Sequence, residues 1–149
     1  MNEDQTTPTN LNDPMDRTFL MCKPDAVARG LVGEILSRFE RRNLTIVAME
    51  MRTIDDATAR KHYAEHEGKP FLDGLVSFMT GGPSVLFVLE GPENTWQVAR
   101  NMMGATNALN AAPGTIRGDL GRELPANLIH GSDSLESADR EIAIFFPNL

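Results

Sequence analysis

Two short runs, Arg17-Thr18-Phe19-Leu20-Met21-Cys22 and Ser84-Val85-Leu86-Phe87-Val88-Leu89-Glu90, are apolar at nearly every position and end in turn residues, Lys23-Pro24-Asp25 and Gly91-Pro92. Runs of this kind suit central strands buried on both faces. Between them Leu31, Ile35 and Phe39 recur at four-residue steps beside Val32 and Leu36, with Glu34, Arg38 and Arg41 pointing away, which predicts one amphipathic helix over 27–42 that stops at Asn43. Over 45–53, Val47, Met49 and Met51 alternate with Ala48, Glu50 and Arg52, the pattern of a half-buried strand. Asp55 or Asp56 can cap a helix running to about His66. Pro70 opens another with Phe71, Leu72, Leu75, Val76 and Phe78, so the two form a helical hairpin. After Gly81-Gly82-Pro83 and the second apolar run, 94–103 reads as a helix with Val98, Met102 and Trp96 on the sheet and Arg100 towards the other side. Residues 104–124 are rich in Gly, Ala, Asn and Pro and lack a period; long irregular segments in compact domains are commonly functional. A last strand ends near His130. Asp133 or Ser134 then caps a helix with Ala138, Ile142, Phe145 and Phe146 inward. The order predicts an α/β chain of the α+β sandwich kind, with helices laid on a mostly antiparallel sheet.

Composition narrows the class. A chain of 149 residues, 41% hydrophobic and 23% charged, is one soluble domain's worth. No apolar run approaches the roughly 20 residues needed to cross a bilayer, and no signal-type segment opens the chain, so a cytoplasmic protein that binds no membrane is expected. Residues 1–16 hold Glu3, Asp4, Asp13 and Asp16 without Lys or Arg and read as a disordered acidic leader; 17–149 form the domain. The net charge of −7 therefore leaves −3 for the remaining 133 residues. Such a surface argues against nucleic-acid binding and confines any phosphate ligand to a local basic site. Arginine outnumbers lysine eleven to three, which together with the acidic excess is compatible with a halophilic source. The lone cysteine, Cys22, is expected as buried filler.

The chemistry centres on Asn127-Leu128-Ile129-His130-Gly131-Ser132-Asp133. An imidazole is largely neutral near pH 7, so a ring nitrogen can attack phosphorus without prior deprotonation. Gly131 lets the backbone bend, and Ser132 and Asp133 can hydrogen-bond locally to hold the ring. Taken alone, His130 is more simply a surface residue. His62-Tyr63-Ala64-Glu65-His66 places two histidines four apart, but the order is not His-Glu-x-x-His and no third ligand is evident; a solvated helix face is the expectation. Neither a P-loop nor a strand-linked Gly-x-Gly-x-x-Gly occurs, so phosphates must be held by side chains, a task for which arginine's planar fork is suited.

Arg17-Thr18-Phe19 leading to Lys23-Pro24-Asp25, Arg29-Gly30-Leu31-Val32-Gly33-Glu34-Ile35, His62-Tyr63, Lys69-Pro70-Phe71, Gly114-Thr115-Ile116-Arg117-Gly118-Asp119 and the segment 127–133 resemble, in order and spacing, the nucleoside diphosphate kinase family. The resemblance runs from Arg17 to about Phe146. It implies a ferredoxin-like βαββαβ topology, a four-stranded antiparallel sheet covered by helices. It further implies ping-pong transfer: His130 takes the γ-phosphate of a nucleoside triphosphate, typically ATP, as phosphohistidine and passes it to a nucleoside diphosphate. Within that implication Glu141 and Ser132 orient His130. Lys23, Arg100, Thr106 and Arg117 hold phosphates, with Tyr63 near the transferring group, and Asn127 and Lys23 contact the sugar. Phe71 and Leu124 sandwich the base, and Leu75 lies among the nucleotide-binding residues. Mg²⁺ is expected as cofactor, held by nucleotide phosphates rather than by protein side chains. The partners implied are nucleoside tri- and diphosphates and further copies of the chain, a hexamer being favoured over a tetramer or dimer. Ala26 and Ala28 depart from the family's usual glycine and glutamine, and the chain ends soon after Phe146, where many relatives carry a tail that helps subunits pack.

Two other classes are weighed. A nucleotide-binding regulatory module without turnover would fit a chain lacking His130, which is present. A Ser-His hydrolase built from Ser132 and His130 has poor geometry and no Gly-x-Ser-x-Gly elbow.

Overall fold

In the computed structural model, which describes residues 15–149, four strands form one antiparallel sheet in the order β2-β3-β1-β4. These are β1 (Met15–Cys22), β2 (Thr45–Arg52), β3 (Ser84–Pro92) and β4 (Ile129–Gly131). The two apolar runs are the central pair, β1 and β3. Alternation along β1 shows why both needed to be apolar: Leu20 and Cys22 face a layer with Ile35, Phe39, Ala99 and Met103, while Phe19 and Met21 face Ala59, Leu72, Val76 and Phe145. The first layer is made by α1 (Pro24–Ala28), α2 (Val32–Arg41) and α5 (Thr95–Met103). The second is made by α3 (Asp56–His62), α4 (Leu72–Thr80) and α7 (Leu135–Phe145). With the α3–α4 hairpin inserted between β2 and β3, this is the expected ferredoxin-like arrangement.

The sequence expectations differ from the structure at several boundaries. β1 starts at Met15, so the last two residues of the expected leader are already strand, and Asp16 accepts a hydrogen bond from the Asn94 amide at 2.6 Å. Residues 1–14 lie outside the described residues. The single helix expected over 27–42 is two helices, because Gly30 takes a positive φ of 69° that turns the chain between them. On β2 the strand is present, but Met49 and Met51 are 57% and 59% exposed; a register shift between Ile46 and Ala48 breaks the expected alternation. The irregular segment 104–124 contains a short helix, α6 (Ile116–Leu120), capped by the Thr115 side chain accepting from the Gly118 amide at 3.0 Å.

Candidate functional site

Register decides where His130 points. In β4 it lies opposite Met21 of β1, and directly opposed residues of an antiparallel pair share a face, so its ring enters the α3–α7 layer. Phe19 flanks it at 6.1 Å between ring centroids. From α7, Glu141 presents a buried carboxylate: Oε1 lies 2.8 Å from His130 Nε2 and accepts the Ser132 hydroxyl at 2.8 Å. Burial raises the Glu141 carboxyl, but the hydrogen bond and charge of His130, with His62 and Ser132, outweigh it and hold the group below its ordinary value. An ionised carboxylate fixed on Nε2 keeps the proton there and leaves Nδ1 with its lone pair.

Gly131 has a different role from the bend expected of it. It is extended within β4, and a Cβ there would stand 2.5 Å from Met103 Sδ, so the glycine admits close packing of α5. Asp133 does not reach the ring; it accepts from the Ser137 hydroxyl at 2.6 Å, and Ser132 acts on His130 through Glu141.

A second network holds the entrance. Lys23, at the end of β1, donates to Asn127 Oδ1 at 2.8 Å, and Asn127 Nδ2 donates to the Thr106 carbonyl at 2.8 Å. The Lys23 amide donates to the Leu128 carbonyl at 2.8 Å, and the Leu128 amide to Asp25 Oδ2 at 3.0 Å. Those bonds hold buried Leu128 at a φ of 75°, a conformation costing a branched side chain roughly 1 kcal/mol or more, two residues before His130. Arg117, buried in α6, donates to the carbonyls of Asn127, Gly104 and Ile129. Three of its five donors thus clamp the loops and two remain. Burial and then the charge of Arg100 lower Arg117 to about 10, while burial and Arg117 lower Lys23 to about 8 against the opposing pull of Asp25. Cations pressed together in this way gain most from an anion. Arg100 donates to the Gly131 carbonyl at 3.0 Å, beside His130.

The structure therefore brings together Lys23, Arg100, Arg117, Asn127, Ser132, His130 and Glu141, with the Thr106 backbone. Tyr63 joins through rings: it packs edge-on against His62 at 4.7 Å, and burial raises its hydroxyl to about 12. Phe71, 50% exposed, lies at the rim against His66 at 5.2 Å, with Lys69 Nζ 5.9 Å from its ring centre. Leu75 is half-buried one turn into α4, and Leu124 is 54% exposed before β4; neither side chain takes part in the polar network. What sequence reasoning missed is His62. It is not on a solvated face: α3 ends there, its chain turns into a 3-10 segment at Ala64–His66, and His62 is 3% exposed with its ring edge-on to His130 at 4.6 Å. The available signal was its position three residues after Ala59, on the buried face of α3.

A model of the nucleoside diphosphate kinase family matches residues 16–149. The nucleoside diphosphate kinase of Thermobifida fusca (strain YX) is 54% identical over 135 residues, covering 91% of this chain and 99% of that protein. That of Carboxydothermus hydrogenoformans is 58% identical over 132 residues, 89% of this chain and 88% of the other. Among solved structures, a halophilic nucleoside diphosphate kinase from Halobacterium salinarum in complex with CDP superposes with a TM-score of 0.86 at 54% identity, covering 91% and 90% of the two chains. A Babesia bovis family protein gives 0.85 at 43% identity over 88% of each.

Proposed function

The chain belongs to the nucleoside diphosphate kinase family and is a nucleotide-binding phosphotransferase, and from that premise we propose that His130 Nδ1 carries the phosphoryl group between nucleotides. The observation that supports this reading is the Glu141 carboxylate 2.8 Å from Nε2, which occupies one ring nitrogen and leaves the other as nucleophile. The Nδ1 lone pair attacks the γ-phosphorus, the bond to the β,γ-bridging oxygen breaks, and the diphosphate leaves with that electron pair. The ring becomes cationic as the N–P bond forms, and Glu141 stabilises the charge. A second diphosphate then attacks with a terminal β-oxygen, breaking the P–N bond and regenerating His130. The Halobacterium relative was solved with CDP, a molecule of the acceptor class.

Lys23, Arg100, Thr106 and Arg117 would bind phosphate oxygens, Tyr63 would meet the transferring group, and Asn127 with Lys23 would meet the sugar. Phe71, Leu75 and Leu124 would receive the base through apolar faces that leave its edge unread. Mg²⁺ fits as an ion carried by the phosphates. It demands an oxygen shell, whereas the phosphate-facing side chains are cationic and Glu141 stands beside imidazole nitrogens, which suit Mg²⁺ poorly. When bound it would neutralise charge on the β- and γ-oxygens. A cytoplasmic homo-oligomer, hexamer favoured, agrees with exposed Met49 and Met51 on the open edge strand β2.

The test is intact mass after mixing with ATP and Mg²⁺, followed by GDP. One acid-labile phosphoryl group on wild type, absent from His130→Ala and discharged by GDP to give GTP, is the expected result; a wild type that binds ATP without gaining mass would overturn the assignment.

A further inference from the structure

The phosphoryl transfer leaves His62 without a chemical role, although it sits against the nucleophile. Its side chain is almost wholly buried at the end of α3, and its Nδ1 has no hydrogen-bond partner among the described residues. Burying an imidazole nitrogen unsatisfied costs free energy, so the placement calls for a ligand. His62, His130 and Glu141 each offer one donor atom, and these lie within 4.8 Å of one another. The group joins three elements, α3, β4 and α7, so no spacing in the sequence reveals it.

We propose that His62, His130 and Glu141 form a three-ligand site for a borderline divalent transition-metal ion such as Zn²⁺ or Co²⁺, and that its occupation silences the nucleophile; the second half rests on the function proposed above. Two imidazoles and one carboxylate are the donor set of open zinc sites, leaving the fourth position to water, and they suit Mg²⁺ poorly. Zinc bonds of about 2.0–2.2 Å in a tetrahedron hold donors roughly 3.4 Å apart. To reach that spacing the 2.8 Å between His130 and Glu141 must open by about 0.6 Å and a separation of 4.8 Å must close by about 1.4 Å, within reach of side-chain torsions. His62 is ready as a ligand: burial and the neighbouring His130 charge push it down to about 3, so it is unprotonated at pH 7.

The proton balance explains the silencing. The metal takes the Nε2 lone pair of His130 in place of the proton that Nε2 shares with Glu141. That proton moves to Nδ1, giving the other neutral tautomer with no net proton release and no redox change. Nδ1 then carries a hydrogen where the attacking lone pair was.

The full chain, stripped with EDTA, would be titrated with Zn²⁺ by calorimetry, and its histidine tautomers read by ¹⁵N NMR. One ion per chain is expected, with His130 passing from the Nε2–H to the Nδ1–H form. Substitution of Co²⁺ should give the visible bands of a four-coordinate ion. In His62→Gln, shown folded by its melting curve, affinity should fall at least about tenfold, whereas His66→Ala should bind as wild type does. Unchanged affinity in His62→Gln, or no binding by about 1 mM Zn²⁺, overturns the site. Phosphorylation by ATP and Mg²⁺ is followed by intact mass with and without prior zinc loading. Zinc bound through His62 with unimpaired phosphorylation overturns the silencing. A protein never phosphorylated even without zinc refutes the proposed function instead, and the calorimetry still decides the metal site.

Discussion

The floor and the rim of the site are built on opposite principles. At the floor His130 on β4, Ser132 just after it and Glu141 on α7 are joined by bonds of 2.8 Å, with Ser132 and Glu141 buried and His130 partly so. At the rim Phe71 and Leu124 are about half exposed and offer faces rather than directed bonds. Attack on phosphorus needs one ring nitrogen aimed in one direction, and that requires buried partners whose ordering cost is met on folding. A base met by its aromatic face needs no edge contacts and can vary.

The floor should therefore be far less tolerant than the rim. Glu141→Gln keeps the shape but removes the charge that, in the proposed mechanism, stabilises the ring as it becomes cationic; kcat should fall about 100-fold with KM little changed. Steady-state kinetics decide this, and a loss confined to KM would place Glu141 in binding. At the rim Phe71→Ala should raise KM about tenfold, within the range for one stacked base, and by similar factors for ATP, GTP and CTP. A loss confined to one base would mean that its edge is read.

His62 sharpens the contrast through stability. Its folded-state pKa of about 3 lies below the ordinary 6.5. The folded chain stays unprotonated while the unfolded chain gains a proton as pH falls below 6.5. Stability is nearly unaffected above that value and declines from 6.5 towards 3, by about 1 kcal/mol at pH 5.5. Thermal melts of wild type and His62→Phe between pH 7 and 5 test it: the variant's Tm should fall less steeply, and parallel slopes would contradict a desolvated imidazole.

The division also governs what the residues reveal before folding. β1 and β3 are legible because burial on both faces demands an unbroken apolar run, and α7 because Ala138, Ile142 and Phe145 keep a helical period. The break between α1 and α2 is hidden because Leu31, Ile35 and Phe39 keep one period across the turn at Gly30. α6 is masked by surrounding Gly, Ala and Pro, although it buries Arg117. His130 and Lys23 could be named from the motifs they occupy, and Glu141 through the family resemblance. The burial of His62 could have been read from its spacing to Ala59 on α3, but not its place against His130, which depends on three elements meeting.

Lys23 stands at the boundary between floor and rim, and there the smallest effect is expected. Burial and the charge of Arg117 bring its ammonium down to about 8, and a bound phosphate, supplying negative charge, would raise it again. Nucleotide then binds best to the charged form, which prevails below pH 8 and is lost as pH rises through it. Between pH 7 and 8.5 the charged fraction falls from about nine-tenths to about a quarter, so KM should rise roughly fourfold. In Lys23→Met, KM should be higher at pH 7 and flat across the same interval. A rise that survives in Lys23→Met would assign the titration to another group of the site, and one that disappears would tie affinity at the mouth of the sheet to this single proton.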